Sequence, residues 1–321
     1  MTMDGVTRLP GAGPVGQEMG TDTMEETILQ ATGLGKRYRR KWALRDCSVA
    51  IPAGRVVALV GPNGAGKTTF LHLAVGLLRP TAGSVGMLGE PTGHSAATLA
   101  KVAFLAQDKP LYDTFTVAEL LRFGQRLNPT WDQEFARQRL AGLDIPLGRR
   151  SGKLSGGQQA QVALTLALAK RPDLLLLDEP LANLDPLARH EVMRDLMAAV
   201  ADTAMTVVLS SHVVSDLEDT CDWLVVINQG RVQLSGDIEE LLRSHRVLSG
   251  PVELAAGVTR RLSVVEDSRT DRQATLLART GPQAPTLDPR WDTRPVNLEE
   301  LVLAYLRQPE SSALPRPALA G

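Results

Sequence analysis

The residues best suited to chemistry lie in one short run. Residues 61–67 read Gly-Pro-Asn-Gly-Ala-Gly-Lys and two threonines follow, which fits the phosphate-loop pattern G-x-x-x-x-G-K-[ST]. In such a loop the glycines let successive backbone N–H groups point at phosphate oxygens. The residues predicted to bind a nucleotide are Gly61, Pro62, Asn63, Gly64, Ala65, Gly66, Lys67, Thr68 and Thr69. Lys67 is expected to hold the β- and γ-phosphates, and Thr68 a Mg²⁺ ion.

The flanking sequence decides between a phosphate site and an ordinary glycine-rich turn. Val56–Val60 is a wholly apolar run that predicts a buried strand, and residues 68–78 predict a helix. A strand, a glycine-rich loop and a helix in this order place the positive end of the helix dipole at the bound phosphate. The flanks therefore favour phosphate binding.

A second apolar run ends in two acidic residues. Leu174–Leu177 predicts a strand buried on both faces, and Asp178 and Glu179 follow it directly. The carboxyl end of a parallel strand is the edge at which ligands bind in such sheets. A buried carboxylate is costly without a cation, so Asp178 is expected to hold Mg²⁺ through the ion's water shell. A cap for the next turn is the alternative.

A third feature is the run Leu-Ser-Gly-Gly-Gln at residues 154–158, which opens an apolar helical pattern ending near Lys170. The backbone N–H groups at the start of a helix, together with a serine hydroxyl, form a ready anion site. A flexible turn is the alternative for such a string. The residues of this site would be Ser155, Gly156, Gly157 and Gln158.

The elements that must position these residues alternate between strands and helices. This alternation predicts an α/β fold with a mainly parallel sheet wrapped by helices. Strands at residues 28–38 and 47–51 predict an antiparallel edge, and residues 117–144 predict helices broken at Asn128-Pro129. A hairpin at residues 223–234 and a helix at residues 238–245 complete the strong pattern.

The sequence after residue 246 has a weaker pattern. Two strands are predicted at residues 262–266 and 275–279. Asn297 and Glu300 have the spacing of a capping box, which predicts the start of a helix with one apolar face. The residues of that face are Leu298, Leu301, Val302 and Tyr305.

Composition narrows the class of protein. The 321 residues include 35 basic and 36 acidic side chains, so net charge does not suggest a nucleic-acid partner. A local basic cluster at residues 36–41 is interpreted as a solvated face. The two cysteines, Cys47 and Cys221, match no metal-ligand spacing and suit a reducing cytosol. No apolar run is long enough to span a bilayer, and residues 1–20 lack a signal-peptide profile.

The order and spacing of these motifs resemble those of the ATP-binding subunits of ABC transporters. The resemblance covers roughly residues 26–245 and is specific, because the Leu-Ser-Gly-Gly-Gln signature lies between a phosphate loop and an Asp-Glu-ended strand. It implies a RecA-like P-loop ATPase core with an antiparallel β edge and an inserted helical subdomain at about residues 108–170. The implied organisation is a disordered leader at residues 1–25, an ABC ATPase domain at 26–246 and a small α+β region at 247–321.

The resemblance also implies roles for single residues. Glu179 resembles the general base that polarises the attacking water, and His212 the residue that contacts the γ-phosphate. Gln107 resembles the residue that meets both Mg²⁺ and the water, and Tyr38 the aromatic that stacks on adenine. The alternatives are a surface carboxylate for Glu179, a structural histidine for His212, a loop glutamine without a role for Gln107 and a core tyrosine for Tyr38.

The signature and Asp185 are implied to complete the site of a second subunit. Two ATP molecules would then lie between two ATPase subunits arranged head to tail, as a homodimer or with a close paralogue. One departure concerns the sequence Gln159-Ala160-Gln161, since many members carry an arginine two positions after the second glutamine. The departure puts the hydrolysis rate in question, but not nucleotide binding.

The predicted function is therefore the ATP-hydrolysing subunit of an ABC transporter, cytoplasmic and peripheral on the inner face of the membrane through a permease partner. Residues 296–301 are similar to the carboxyl-terminal segment of ABC-2 type, drug-exporter-like ATPases, which implies export. The alternative is a soluble ABC-type ATPase in assembly, repair or translation. A single phosphate loop disfavours tandem translation factors, and two cysteines disfavour zinc-bearing repair ATPases. A phosphate-loop kinase or GTPase would leave the signature unexplained.

Overall fold

The computed structural model describes residues 26–91, 95–108, 111–182, 184–201, 203–215, 217–281 and 287–310. The expected disordered leader at residues 1–25 lies outside these ranges. In chain order the strands are β1 (Thr27–Tyr38), β2 (Lys41–Pro52), β3 (Val56–Val60), β4 (Ala82–Met87), β5 (Glu90–Pro91), β6 (Val102–Leu105), β7 (Leu174–Leu177), β8 (Thr206–Ser211), β9 (Trp223–Asn228), β10 (Arg231–Asp237), β11 (His245–Pro251), β12 (Ser263–Arg269), β13 (Gln273–Arg279) and β14 (Asp292–Pro295). The helices are α1 (Lys67–Ala74), α2 (Ala96–Ala100), α3 (Val117–Leu127), α4 (Gln133–Gly142), α5 (Gly156–Ala169), α6 (Pro186–Ala201), α7 (Ile238–Arg243), α8 (Val252–Thr259) and α9 (Leu298–Arg307).

The central sheet has six strands in the order β10-β9-β3-β8-β7-β6. All neighbouring pairs are parallel except β9 and β10, which form an antiparallel hairpin. Alternate residues of β3 enter two different cores, with Ala58 on one face and Leu59 on the other. The unbroken apolar runs of β3 and β7 follow from this burial on both faces. The predicted α/β fold with a mainly parallel sheet is confirmed.

A second sheet, in the order β2-β1-β4-β5, is antiparallel and shares a core with α1 and one face of the central sheet. The strand β2 begins at Lys41 and not at residue 47 as expected. Lys41 pairs with Tyr38 across a tight turn, so cross-strand pairing extends to the hairpin end. Helix α1 ends at Ala74 and not at residue 78, because Gly76 has a φ of 75° and terminates the helix.

The helices α3 and α4 have a small core of their own with part of α5. The break at Asn128-Pro129 falls between α3 and α4 as predicted. Helix α3 starts with a capping box in which the side chains of Thr116 and Glu119 accept hydrogen bonds from each other's backbone N–H groups. The core contains Val117, Leu120, Leu121, Ala136, Leu140, Ile145, Leu154, Val162 and Ala169. Among the described residues, no helix is long and apolar enough to cross a bilayer.

The last part of the described chain forms a four-stranded antiparallel sheet in the order β12-β13-β11-β14. The predicted helix at residues 238–245 ends at Arg243, and His245 begins β11 instead. The sequence did not predict β11, α8 or β14. The expected domain boundary at residues 246 and 247 falls inside β11. This strand exists because it pairs with β13, which follows it by more than twenty residues.

Helix α9 confirms the predicted capping box of Asn297 and Glu300. Its four predicted apolar residues are all buried, and they lie in the same core as Val226 of β9 and Leu234 of β10. The C-terminal sheet and the central sheet therefore share one hydrophobic core through α9.

A buried polar cluster joins β11, β13 and α9. The Nδ1–H of His245 donates to the Leu241 carbonyl oxygen at 2.7 Å, and its Nε2 lies 3.0 Å from the hydroxyl of Tyr305. Arg279 Nε donates to the same hydroxyl at 2.6 Å. The Tyr305 hydroxyl therefore donates its own proton to Nε2 of His245. That nitrogen can accept a hydrogen bond only while the imidazole is neutral. Burial, the largest cause, and the charge of Arg279 lower the pKa of His245 from 6.5 to about 4, although the Leu241 hydrogen bond opposes them.

We expect this cluster to make folding stability depend on pH. Unfolded His245 takes up a proton near pH 6.5, whereas the folded state resists protonation until about pH 4. The stabilisation is therefore complete above pH 6.5 and is lost as the pH falls toward 4. Between pH 8 and 5.5 the His245 contribution to the free energy of unfolding should fall by about 1 to 2 kcal/mol.

Chemical denaturation at the two pH values tests this expectation. His245→Gln should reduce the pH-dependent difference in unfolding free energy, whereas the control His190→Gln, at an exposed histidine of α6, should not. An unchanged difference in the His245→Gln protein would show that His245 is not the titrating group.

Candidate functional site

The phosphate loop connects β3 to α1 and is shaped by close backbone approaches. A Cβ at Gly61 would lie 2.1 Å from the carbonyl oxygen of Ile227, in the neighbouring strand β9. Gly66 has a φ of 114°, and a Cβ there would lie 2.8 Å from the carbonyl oxygen of Ala43. Larger residues do not fit at either position. The loop is therefore fixed by the strands on both sides of it before any ligand binds.

Lys67, the first residue of α1, has a buried side chain that folds back over the loop. It is 5% exposed, and its Nζ donates to the Gly61 carbonyl oxygen at 2.7 Å. The same Nζ lies 3.1 Å from Oε1 of Glu179. A buried ammonium needs a counter-charge, and Glu179 supplies it in this structure.

The carboxylate of Glu179 lies between the ammonium of Lys67 and the ring of His212. Its second oxygen, Oε2, is 3.0 Å from Nδ1 of His212, which follows β8. Its backbone has a φ of 44°, in the left-handed region that non-glycine residues rarely adopt. Strain of this kind persists where the surrounding structure imposes it, and it occurs often at functional sites. The carboxylate is thus held at the floor of the phosphate-loop cleft, between Lys67 and His212.

Asp178 is 1% exposed and accepts a hydrogen bond from the Ser210 hydroxyl at 2.8 Å. The same hydroxyl oxygen accepts from the backbone N–H of Glu179, also at 2.8 Å. Ser210 therefore links both acidic residues to strand β8. Ser210 has no predicted role in the sequence, although a polar residue near the carboxyl end of an apolar strand was the available signal.

A cleft of about 740 Å³ opens over the phosphate loop and Glu179, whereas the predicted residues Gly61 and Asp178 do not line it. This volume is in the range of small-molecule sites and suits a nucleoside triphosphate. The ring of Tyr38 is 47% exposed at the cleft edge and is not a core residue. The predicted residues that line the cleft are Tyr38, Pro62, Asn63, Gly64, Ala65, Gly66, Lys67, Thr68, Thr69, Gln107, Glu179 and His212. Arg189 of α6 also lines it, and the sequence analysis did not select that residue.

The residue types at this cleft fit a bound magnesium nucleotide. In the described part of the chain, no group of three or more His, Cys, Asp or Glu side chains forms a metal cluster. Mg²⁺ commonly takes one or two protein oxygens and completes its shell with water and substrate phosphates. Thr68, Gln107 and Asp178 are the residues that would supply the protein oxygens.

The signature starts α5 in a reciprocal capping box. Ser155 Oγ accepts from the backbone N–H of Gln158 at 3.2 Å, and the Gln158 side-chain oxygen accepts from the Ser155 N–H at the same distance. Asp185 caps α6 by accepting from the N–H of Ala188 at 2.9 Å. The predicted residues Ser155, Gly156, Gly157, Gln158 and Asp185 all line a second cleft, of about 300 Å³.

The predicted site residues therefore form two groups within one chain. The phosphate loop, Gln107, Glu179, His212 and Tyr38 share the larger cleft, whereas the signature and Asp185 line the smaller one. Of the residues that the structure describes, none lines both clefts. A phosphate held by Lys67 thus meets only one of the two predicted anion sites in a single chain.

A parallel sheet with a phosphate loop at the carboxyl end of β3 and acidic residues at the end of β7 defines a P-loop NTPase. Comparison with known proteins gives the family. Residues 44–182 match the ABC transporter family model. The uncharacterized ABC transporter ATP-binding protein YxlF of Bacillus subtilis is 35% identical over 67% of this chain and 72% of its own length. The chain belongs to the family of ABC transporter ATP-binding proteins and is an ATPase.

Other relatives include proteins named for both transport directions. The sulfate/thiosulfate import ATP-binding protein of Vibrio vulnificus is 34% identical over 68% of this chain and 66% of its own. The Nod factor export ATP-binding protein I of a Rhizobium species is 33% identical over 69% of this chain and 75% of its own. A solved ATP-binding subunit of an ABC transporter superposes with a TM-score of 0.60, at 27% identity, covering 68% of this chain and 92% of that subunit.

Proposed function

We propose that two ATPase subunits of this kind bind two ATP molecules between them, and that the resulting movement drives a membrane permease. The observation that carries the proposal is the separation of the phosphate loop and the signature into two clefts of one chain. The two predicted anion sites therefore do not act on one phosphate within a single chain. A head-to-tail pair places the signature of one subunit over the phosphate loop of the other, so both sites become complete.

Within the larger cleft, each residue has a role that its chemistry supports. The loop N–H groups and Lys67 bind the β- and γ-phosphates, while Thr68, Gln107 and Asp178 hold Mg²⁺. Bound Mg²⁺ neutralises negative charge on the phosphate oxygens. Tyr38 stacks on the adenine ring, because its side chain lines the cleft and is about half exposed there.

Phosphate binding changes the partner of Lys67. In the structure its ammonium contacts Glu179, but the γ-phosphate offers oxygens with more negative charge. When Lys67 turns to the phosphate, Glu179 loses that counter-charge and can accept a proton from water. His212, 3.0 Å from Glu179, orients the carboxylate and contacts the γ-phosphate.

The signature supplies the remaining ligands from the opposite subunit. The Ser155 hydroxyl and the N–H groups at the start of α5 face the γ-phosphate, so the positive end of the helix dipole completes the site. Asp185 lies beside the signature in the same cleft and contributes to this surface. ATP binding and dimerisation are therefore thermodynamically linked.

The permease contact is proposed at an exposed aromatic cluster near Gln107. Tyr112 is 57% exposed, and its ring lies 5.1 Å from that of Phe115 and 5.8 Å from that of Phe123. The alternative is that the apolar side chains of this loop pack beneath α3 and α4. Leu111 does so, because it packs against two hydrophobic cores. Lys109 and Pro110, which lie between Gln107 and Tyr112 in the sequence, are outside the described residues. An exposed group of three aromatic rings is typical of a protein interface.

We infer that the chain lies in the cytoplasm, on the inner face of the membrane, with its permease. We assign export as the direction of transport. Support comes from the similarity of residues 296–301 to drug-exporter-like ATPases. Relatives named for import and for export are equally similar in the cassette, so only the C-terminal segment favours export. Uptake of substrate into inside-out vesicles, but not right-side-out vesicles, tests the direction.

Crosslinking in membranes tests the permease contact. Cysteines at Tyr112 and Asp113 should crosslink to a co-expressed integral membrane protein, with a yield that changes on adding ATP. The native thiols interfere little, because Cys47 is buried and burial raises the pKa of Cys221 to about 12.

The matched control is a cysteine at Glu239, an exposed residue of α7 outside the aromatic cluster. It should give no crosslink to the membrane protein. If Tyr112 and Asp113 also give none while ATPase activity is intact, the soluble-ATPase alternative explains the protein better.

A further inference from the structure

A polar network behind the signature joins three helices. Arg139 of α4 donates from Nη2 to the Gln161 side-chain oxygen at 2.8 Å and from Nε to the Thr165 hydroxyl at 3.1 Å. Gln161 and Thr165 are one helical turn apart on α5. Gln161 in turn donates from Nε2 to Oδ2 of Asp195, on α6, at 3.0 Å. One guanidinium thus contacts two side chains of the signature helix.

The network also carries a charge pair between α4 and α6. Nη2 of Arg139 lies 3.8 Å from Oδ2 of Asp195, and both side chains are largely buried. The other oxygen of Asp195 contacts Arg194 at 3.1 Å. Burial lowers the pKa of Arg139, and Asp195 opposes that effect. A buried ion pair of this kind fixes geometry, because removing one partner leaves the other without compensation.

Gln161 connects this network to the predicted interface. It lines the same cleft of about 300 Å³ as Ser155 and Asp185. It is also the position at which many family members carry an arginine, so the cation expected on α5 is absent from that position. Arg139 brings a cation to the same place from α4.

We propose that Arg139 is a positioning residue for the signature. It holds the middle of α5 against α6 through Gln161, so that Ser155 and Asp185 keep the relative placement needed by the opposite subunit's ATP. Gln161 lies six residues beyond Ser155, or about 9 Å along the helix, so a small rotation at the network moves the signature. The inference rests on the proposed shared ATP site.

The test uses Arg139→Leu and the double variant Arg139→Leu/Gln161→Arg in the full chain. Arg139→Leu removes both hydrogen bonds from the guanidinium to α5, and losing even one charge-assisted bond typically changes an equilibrium about tenfold or more. We expect the protein concentration giving half-maximal ATPase activity to rise about tenfold. The affinity of the phosphate-loop cleft for a fluorescent ATP analogue should stay within about twofold.

The double variant returns the cation to α5. The Gln161 side chain already reaches Asp195, so an arginine there can pair with Asp195 in the space that the shorter leucine side chain on α4 leaves. We expect it to restore most of the wild-type concentration dependence. Arg137→Leu, at an exposed position of the same helix as Arg139, should behave as wild type.

Two results would overturn the inference. The first is wild-type concentration dependence in Arg139→Leu. The second is that Arg139→Leu loses nucleotide affinity and thermal stability as well, and that the double variant restores neither. That result would indicate a general packing role. Ser155→Arg shows whether a negative result concerns only Arg139 or the shared site itself. If Ser155→Arg also keeps normal activity, the proposed dimer is wrong and not only the role of Arg139.

Discussion

Replacing Glu179 by glutamine should lower the single-turnover rate of ATP hydrolysis by about 10²- to 10⁴-fold. Glutamine has nearly the same shape and can still contact His212, but its amide cannot accept a proton from water. The substitution also removes the negative charge 3.1 Å from the Lys67 ammonium, so Lys67 is freer to bind phosphate. ATP should therefore bind at least as tightly as to the wild-type protein.

Lys67→Ala should behave differently, because it removes a phosphate ligand. Losing one charge-assisted bond costs about 1.5 to 3 kcal/mol, so ATP affinity should fall roughly 10- to 100-fold. Glu218→Gln, at an exposed glutamate in neither cleft, is the control and should change neither quantity. Near-wild-type single-turnover hydrolysis by the Glu179→Gln protein would reject Glu179 as the base.

Ser155→Arg should abolish ATP-dependent dimerisation. In the Glu179→Gln background, where ATP persists, light scattering should show a dimer on adding ATP and a monomer without it. Ser155 is exposed at the start of α5, and an arginine there places bulk and an unpaired charge in the interface. The variant should remain monomeric while its phosphate-loop cleft still binds ATP.

Loss of the helix cap needs a separate control, since Ser155 also caps α5. Asn297 caps α9 through the same reciprocal arrangement and is exposed. Asn297→Arg should lower stability by a similar amount, about 1 kcal/mol, without affecting dimerisation. A wild-type protein that stays monomeric in ATP with full turnover would refute the shared site.

The sequence by itself determined the features that depend on local chemistry. The strand β7 is a run of four leucines, which only burial on both faces explains, and its predicted bounds are those of the structure. The start of α5 at the signature and the capping box of α9 also follow from neighbouring residues. The phosphate loop was identified for the same reason, since its binding groups are consecutive backbone amides.

The elements that the sequence missed depend on distant partners. Strand β11 contains Gly250 and Pro251 and has no strong pattern of its own, but it is held between β13 and β14. Helix α8 has eight residues and no side-chain cap, so tertiary contacts with the C-terminal sheet stabilise it. Cross-strand pairing and packing of this kind leave little trace in either segment.

Only the tertiary structure gave the distances between the site residues. The resemblance had assigned Ser155 to the ATP of a second subunit, and the fold brings Lys67 and Glu179 within 3.1 Å and leaves Ser155 in another cleft. It also revealed the Ser210 bridge between the two acidic residues and the contact of Arg139 with Gln161. Spacing along a chain fixes what a local motif can bind. The meeting of side chains from different elements is fixed by the packing of strands and helices, because that packing sets which of their ends and faces come together.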